Sequence, residues 1–255
     1  MSKERFVKRM LIRSLVGAAL VGLCCWGCSS RDENTLKMVT EATFPPYEFL
    51  RGDEVVGIDV EICRAVAEEL GKKFVVESVN FDSVIPTVIS GKADLAAAGI
   101  TITEDRKQNV DFSVPYVKTG IVFVYKTTDP YLTGDAAKGK KVGVQSGTTS
   151  ETYVIETLGQ QPERFDSPAA AVAALKAGRV DVVLADVDPA KNCVKGEDSL
   201  AVSDFVTTEE YAVAIRKGQP ELLKVINETI EELKANGKLA AWTVQFTEEA
   251  DKLKD

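Results

Sequence analysis

Histidine is absent from the sequence of 255 residues, and cysteine is scarce after residue 28. Only Cys63 and Cys193 remain there, and nothing around them has the spacing of metal ligands. Without histidine, the chain lacks the side chain best suited to metal binding and to proton transfer near neutral pH. We therefore expect no metal and no cofactor. We also expect the two cysteines, on helices far apart in the sequence, to be buried thiols rather than a disulfide.

A long apolar segment is also missing. The apolar run over residues 14–26 is shorter than the roughly 20 residues that a membrane-spanning helix needs. Five basic residues precede it, and Gly27 and Cys28 follow it. This pattern predicts an export signal over residues 1–27 and resembles that of bacterial lipoproteins, in which Cys28 would become the lipidated first residue. A plain secretory signal and a permanent transmembrane anchor are the alternatives.

Positive charge is in deficit, with 31 lysine and arginine residues against 39 aspartate and glutamate residues. Residues 1–27 carry five positive charges and one negative charge, so without them the formal net charge goes from −8 to −12. Nucleic acids and anionic membrane surfaces attract clustered lysine and arginine, so this balance argues against both as partners. We expect a protein of the periplasm or the outer cell surface, held to the membrane only through the lipid on Cys28.

From residue 37 onward, short apolar runs alternate with amphipathic stretches. The apolar runs predict strands, and the stretches with a helical repeat predict helices that end at glycine. Their order predicts an α/β protein with two similar units, followed by a strand and a long helix. The predicted strands are 36–42, 72–79, 93–99, 119–126, 140–147, 180–186 and 209–218, and the predicted helices are 59–71, 81–91, 149–159, 167–178 and 219–237.

The stretch AAAGITITEDR combines small residues, two threonines and an arginine in one loop. In open α/β sheets, ligands bind where strands end and helices begin. Ala98 and Gly99 leave backbone N–H groups approachable, and Thr101 offers a hydroxyl. Thr103 can cap the following helix, and Arg106 falls in its first turn. These donors suit a carboxylate, which a guanidinium binds through two parallel hydrogen bonds. The alternative is an ordinary capped turn in which Arg106 forms a surface ion pair.

A second loop and one strand end complete this pattern. In VQSGTTSE, Gly147 again frees the backbone, and Thr148 and Glu151 have the spacing of a capping box. The hydrophobic strand VDVVLAD ends in Asp186, where a buried carboxylate requires a cation beside it. A carboxylate held by Arg106 and an ammonium held by Asp186 describe the backbone of an amino acid gripped in a cleft.

Between about residues 37 and 247, the chain resembles the bacterial extracellular solute-binding proteins of the polar amino-acid family. The motifs that carry the resemblance are EATFPPYEF, GIDVEI, FDSVIPTVISGKADLAAAGITITEDR, VGVQSGTTSE and LAD. The resemblance implies two similar α/β lobes, joined by two crossing strands, with a ligand cleft between them. Lobe 1 would comprise residues 36–119 and 211–255, and lobe 2 would comprise residues 120–210.

The resemblance also assigns roles to single residues. Thr101 and Arg106 would bind the α-carboxylate of a free amino acid, with backbone help from Gly99 and Thr148, and Asp186 would bind the α-ammonium. The ligand's side chain would be surrounded by Glu41, Phe44, Phe81 and Gln145.

The implied function is transport. A monomer would close on its amino acid and present it to the permease of an ABC importer, which works with an ATPase. Glu41 at the side-chain end, flanked by Phe44 and Phe81, favours a cationic amino acid. If Glu41 instead turns away, Gln145 would favour a neutral amide such as glutamine.

Two other classes of function are weighed against transport. The fold also resembles that of cyclohexadienyl dehydratases, periplasmic enzymes that need a carboxylic acid as proton donor, for which Glu41, Asp186 and Asp188 are candidates. The pair of Arg106 and Asp186 favours a ligand held unchanged, and without histidine the easiest general acid is missing. A structural protein or adhesin would leave the cleft residues without a purpose. We therefore predict a binding protein and not an enzyme.

Overall fold

The computed structural model describes residues 32–130 and 134–252. Strands and helices alternate along most of this part of the chain. The strands are β1 (Thr35–Thr40), β2 (Thr43–Phe44), β3 (Glu48–Arg51), β4 (Glu54–Val56), β5 (Lys73–Ser78), β6 (Leu95–Ala96), β7 (Val110–Phe112), β8 (Val117–Lys126), β9 (Val142–Gln145), β10 (Glu163–Phe165), β11 (Val182–Asp186), β12 (Leu200–Val202), β13 (Thr207–Tyr211) and β14 (Ala214–Arg216). The helices are α1 (Ile58–Glu69), α2 (Phe81–Ile89), α3 (Glu104–Lys107), α4 (Gly134–Ala137), α5 (Thr149–Glu156), α6 (Pro168–Lys176), α7 (Val187–Val194), α8 (Pro220–Ala235) and α9 (Lys238–Lys252).

The first sheet has the strand order β5-β1-β6-β14-β7. β1 runs parallel to β5 and β6, and β14 runs antiparallel to β6 and β7. Leu36 and Met38, two residues apart on β1, are both buried in the core on this sheet. Ile58, Ile62 and Val66 of α1 belong to the same core, and their four-residue spacing places them on one face of the helix.

The second sheet has the order β10-β9-β11-β8-β12, and β13 also pairs with β8. β9 is parallel to β10 and β11, whereas β8 is antiparallel to β11, β12 and β13. Every residue of β11 is buried because helices cover both of its faces. Val183 lies in one core with Leu175 of α6, and Leu184 lies in another with Val154 of α5.

The chain passes between the two sheets twice. It leaves the first sheet after Phe112, enters the second at Val117, and returns between Tyr211 and Ala214. The predicted single strand 209–218 is therefore wrong: β13 pairs with β8 in the second sheet, and β14 pairs with β6 and β7 in the first. An unbroken apolar run does not reveal where a strand changes its partner. The predicted lobe boundaries fall near these two crossings and remain a prediction.

Two further elements differ from their predicted extents. The predicted strand 93–99 is only two residues long as β6, and the chain bends away at Gly99, where φ is 53°. Beyond Gly237, where the last predicted helix ends, the chain starts α9. Lys238 N–H donates to Asn236 Oδ1 at 3.0 Å, which satisfies one backbone group at this restart. The small sheet β2-β3-β4 was also not predicted.

The predicted export signal, residues 1–27, and Cys28 lie outside the described residues. Within the described ranges, no helix is long and apolar enough to cross a membrane, and no group of three or more acidic or cysteine residues could hold a metal ion. Cys63 is fully buried in α1 as expected. Cys193 on α7 is only half-buried, so the expectation that both thiols are buried is wrong for this residue.

Candidate functional site

One cavity lies where the loop after β6, the end of β9 and the end of β11 meet. Its volume is about 10 Å³, enough for one water molecule, so a larger ligand enters only when the two sheets separate. Eight of the ten residues predicted to bind a ligand line this cavity, and Thr149 lines it in addition. The eight are Phe44, Phe81, Gly99, Thr101, Arg106, Gln145, Thr148 and Asp186.

Arg106 is one of the residues that line this cavity. Thr103 caps α3 as predicted, and its hydroxyl accepts the N–H of Arg106 at 3.1 Å. The guanidinium donates to the backbone oxygens of Thr101 at 2.9 Å and Gly147 at 3.0 Å, and it stacks on the Phe81 ring with 5.5 Å between carbon and centroid. The bond to Gly147 joins the two sheets across the cleft. Burial lowers the pKa of Arg106 from its usual range, although nearby carboxylates oppose this effect.

Asp186 ends β11 and is buried on the opposite side of the cavity. Its Oδ1 accepts a hydrogen bond from the Tyr211 hydroxyl at 2.5 Å. Burial, followed by the negative charge of Glu209, raises the pKa of Asp186 to about 7, while Tyr211 and Arg106 oppose the rise. Neither Tyr211 nor Glu209 was predicted at the site, because a tyrosine and a glutamate inside a strand carry no local signal of a binding role.

The two predicted residues outside the cavity lining are Glu41 and Ala98. Ala98 is buried in a small apolar core instead. Glu41 folds back so that its Oε1 accepts the Thr43 hydroxyl at 2.6 Å, while its Oε2, also buried, has no hydrogen-bond partner. Burial raises the pKa of Glu41, against the effect of the hydrogen bond from Thr43. A carboxylate oxygen without a partner remains able to accept from a cation.

In the loops after β6 and β9, some of the groups predicted to meet the ligand already form hydrogen bonds within the protein. Gly99 N–H, predicted to be approachable, donates to Asp59 Oδ2 at 2.9 Å. A side chain at Gly99 would place its Cβ 2.6 Å from the Phe44 ring, so the close approach requires glycine. Thr148 caps α5 by accepting the N–H of Glu151 at 3.3 Å, as the capping pattern predicted.

Further contacts join the segment between β2 and β3 to α7 and β13. The Tyr47 hydroxyl donates to Asp188 Oδ2 at 2.7 Å, and Asn192 Nδ2 donates to the Pro45 oxygen at 2.9 Å. The rings of Tyr47 and Tyr211 meet edge to face at 5.2 Å. These contacts therefore tie the small sheet β2-β3-β4 to α7 and β13.

A buried acidic network supports the loop at Gly99. Asp59 Oδ2 accepts both Gly99 N–H and the Tyr116 hydroxyl, the latter at 2.7 Å, and neither oxygen of the neighbouring Glu48 receives a hydrogen bond. Burial and the charge of Asp59 raise the pKa of Glu48 well above its usual range, and burial also raises the pKa of Asp59. Burial and the neighbouring charge of Asp59 therefore favour the neutral form of the Glu48 carboxyl over its ionised form.

Relatives of known role share this architecture. A structure of an ancestral arginine-binding protein bound to arginine and a second bound to glutamine are each 39% identical to this chain. Each has a TM-score of 0.78 and covers 85% of this chain and 99% of its own. This agreement confirms the predicted two-lobed periplasmic-binding-protein fold.

Sequence comparison leads to the same group of proteins. ABC transporter arginine-binding protein 1 of Escherichia coli (strain K12) is 30% identical over 237 residues, which are 89% of this chain and 95% of that protein. The L-cystine-binding protein TcyJ of the same strain is 33% identical, over 83% of this chain and 82% of that protein. The family model described as bacterial extracellular solute-binding proteins, family 3, matches residues 36–249. With matches of this extent, the chain belongs to the bacterial extracellular solute-binding proteins of family 3.

Proposed function

We propose that this chain is the solute-binding component of an ABC importer and binds a free L-amino acid in the cleft between its two sheets. The observation that carries the proposal is the placement of Arg106 and Asp186 on one cavity, from opposite sheets. A guanidinium binds a carboxylate, and a carboxylate binds an ammonium, so the two groups match both charges of the amino-acid backbone. The other residues that line the cavity offer polar and aromatic side chains to the ligand: Phe44, Phe81, Thr101, Gln145 and Thr148.

Binding requires this cleft to open and close. The bonds from Arg106 to Gly147 and from Tyr47 to Asp188 both join the two sheets, so both break when the sheets separate. The crossing segments beside β8 and β13 are the only covalent links between the sheets among the described residues, and they can act as the pivot. A ligand that bridges Arg106 and Asp186 favours the closed arrangement, which the permease then recognises.

The side-chain end of the cleft favours a cationic amino acid. Glu41 lies outside the cavity lining but has a buried oxygen without a hydrogen-bond partner, and Phe44 and Phe81 line the cavity. A guanidinium or ammonium can meet the carboxylate while its carbon chain lies against the rings. Two of the relatives are named for arginine, and one of them is also described with glutamine bound, so the neutral amide is the competing ligand.

Calorimetric titration of the purified protein with arginine, lysine, ornithine, glutamine and cystine tests this proposal. We expect arginine or lysine to bind most tightly, and Glu41→Gln to weaken that ligand by at least about tenfold, because a charged hydrogen bond is replaced by a neutral one. Binding of glutamine by Glu41→Gln should stay within about threefold of wild type. If wild type prefers glutamine or cystine, the cationic assignment fails while the backbone clamp stands.

A dehydratase, with Glu41, Asp186 or Asp188 as proton donor, was the alternative that we weighed from the sequence. It receives no support from the relatives, which are named for binding amino acids. The carboxyl of Asp188 is also engaged by Tyr47. Incubation with prephenate or arogenate should leave both compounds unchanged, whereas loss of carbon dioxide from either would reverse this assignment.

Export and anchoring complete the proposed role. The family is extracellular, and we place this chain in the periplasm or on the outer cell surface, as a monomer held to the membrane by a lipid on Cys28. Mass spectrometry of the protein isolated from membranes should find a diacylglyceryl-modified Cys28 as the first residue. Cys28→Ala should move the protein to the soluble fraction, and retention of the variant in the membrane would contradict the anchor.

A further inference from the structure

Two side chains of β13 contact the two charged ends of the cavity. Glu209 Oε2 accepts the Thr101 hydroxyl at 2.5 Å, and the Tyr211 hydroxyl donates to Asp186 Oδ1 at 2.5 Å. Because the two residues are separated by two positions on a strand, their side chains extend from the same face. One strand therefore holds a residue from the proposed carboxylate end and the residue of the proposed ammonium end.

The position of β13 makes this arrangement sensitive to opening. β13 pairs with β8 in the second sheet, and the chain crosses to the first sheet immediately after Tyr211. The backbone of Tyr211 also forms a bridge with Thr101, from the loop after β6. A rotation of the sheets about this crossing therefore changes the contact of Glu209 with Thr101, whereas Tyr211 and Asp186 both lie on strands that pair with β8 in the second sheet.

Tyr211 stabilises the ionised form of Asp186. Its ring is fully buried, and its hydroxyl is the hydrogen-bond donor to this carboxylate. A hydrogen bond to the charged form lowers the pKa of a carboxyl group. Only ionised Asp186 can pair with an ammonium, so the hydroxyl increases the fraction of the protein that is competent to bind.

Glu209 acts in the opposite direction. A threonine hydroxyl has one proton and a carboxylate only accepts, so Thr101 donates to Glu209 and cannot donate to a ligand carboxylate at the same time. Glu209 does not line the cavity but a neighbouring open groove of about 610 Å³, so it reaches Thr101 from outside the ligand's position. Its negative charge also offsets the positive charge of Arg106, and it raises the pKa of Asp186.

We propose that Tyr211 and Glu209 are positioning residues with opposite effects on ligand affinity: Tyr211 strengthens the grip of Asp186 on the ammonium, and Glu209 competes with the ligand carboxylate for Thr101 and Arg106. The proposal rests on the proposed binding of an amino acid by Arg106 and Asp186. It adds that β13, which carries Glu209 and Tyr211, tunes the affinity of that binding.

The pH dependence of binding separates this role from a purely structural one. Wild-type affinity should be full above pH 7 and should fall as the pH drops through about 7, because protonation removes the charge of Asp186. The pH at which half of the affinity is lost is the midpoint of this dependence. Loss of the Tyr211 hydroxyl should raise this midpoint, and loss of the Glu209 charge should lower it. The titratable and charged groups that face Asp186 are Tyr211, Glu209, Arg106, Tyr47 and Glu48.

The test measures arginine and lysine affinity by calorimetry from pH 5.5 to pH 8.5 for wild type, Tyr211→Phe and Glu209→Gln. We expect Tyr211→Phe to weaken binding at pH 7 by about tenfold and to raise the midpoint, because one hydrogen bond to a charged group is lost. We expect Glu209→Gln to tighten binding by about threefold and to lower the midpoint.

Matched controls are available on neighbouring positions. Tyr125→Phe makes the same change on β8, away from the cavity, and Glu210→Gln removes the adjacent acidic group, which pairs with Lys118 at 3.7 Å. Both should bind within about twofold of wild type, and circular dichroism of each variant reports its fold. The inference is overturned if Tyr211→Phe keeps the wild-type affinity and midpoint, or if Glu209→Gln weakens binding. If wild type binds no amino acid at all, the proposed function itself fails.

Discussion

Asp186→Asn is expected to abolish tight amino-acid binding while making the protein without ligand more stable above pH 7. Removing one member of a buried charge pair costs about 2 to 5 kcal/mol, which corresponds to about thirtyfold or more in affinity. The stability gain follows from the pKa of Asp186, which burial raises from 3.8 to about 7. Asparagine has nearly the same shape and can still accept from Tyr211, but it carries no buried charge.

The sign of the stability effect follows from linkage. Below about pH 4 the carboxyl is protonated in both the folded and the unfolded chain, so its ionisation costs nothing. As the pH rises from 3.8 to about 7, the carboxyl is ionised in the unfolded chain but still protonated in the folded protein, so the folded protein loses stability over this range. Above pH 7 the penalty is complete and is on the order of a few kcal/mol.

Thermal unfolding without ligand at pH 4 and at pH 8, together with calorimetry at pH 8, checks this prediction. The variant should match wild type at pH 4 and unfold at a higher temperature at pH 8. Asp198→Asn, at an exposed position, should change neither quantity. Arg106→Ala should lose affinity by about thirtyfold or more, without the gain in stability. Wild-type affinity in Asp186→Asn would contradict the clamp, and equal unfolding temperatures at pH 8 would contradict the buried ionised carboxylate.

Asp59→Ala is expected to reduce the free energy of unfolding by about 2 to 4 kcal/mol, because two buried donors lose their acceptor. The carboxylate is fully buried and accepts from Gly99 N–H and from the Tyr116 hydroxyl. Its removal leaves both donors without a partner and Glu48 beside an empty space. Because Gly99 lines the cavity, the variant should also bind ligand more weakly. Urea unfolding at pH 7 measures the first effect, and calorimetry measures the second.

Two conservative variants sharpen this test. Asp59→Asn keeps one oxygen as an acceptor and should lose less stability than Asp59→Ala. Glu48→Gln should change stability by less than about 1 kcal/mol, because the environment favours the neutral form of the Glu48 carboxyl and the amide has a similar shape. If Glu48→Gln destabilises the protein as much as Asp59→Ala does, Glu48 is ionised and the assignment of the proton is wrong.

The sequence by itself determined those features that depend on neighbouring residues. The alternation of apolar runs and amphipathic stretches indicated the α/β architecture, since side-chain periodicity reports the local backbone. Thr103 and Thr148 were identified as helix caps, and both accept the backbone N–H three residues later. Motifs at the ends of strands identified five residues of one cavity, because strand ends of an open sheet meet at one edge: Gly99, Thr101, Arg106, Thr148 and Asp186. The resemblance to the family added Phe44, Phe81 and Gln145.

Only the tertiary structure decided the partners of those residues. Tyr211 reaches Asp186 from 25 positions away, and Glu209 reaches Thr101 from 108 positions away. Two further features were visible only in the structure. The chain changes sheets between β13 and β14, and the Glu41 side chain folds back onto Thr43. Such contacts depend on which strands pair and how the sheets pack, and a strand's periodicity is the same whichever partner it takes. Local sequence patterns therefore identified the groups of the proposed clamp, and long-range packing determined which residues contact them.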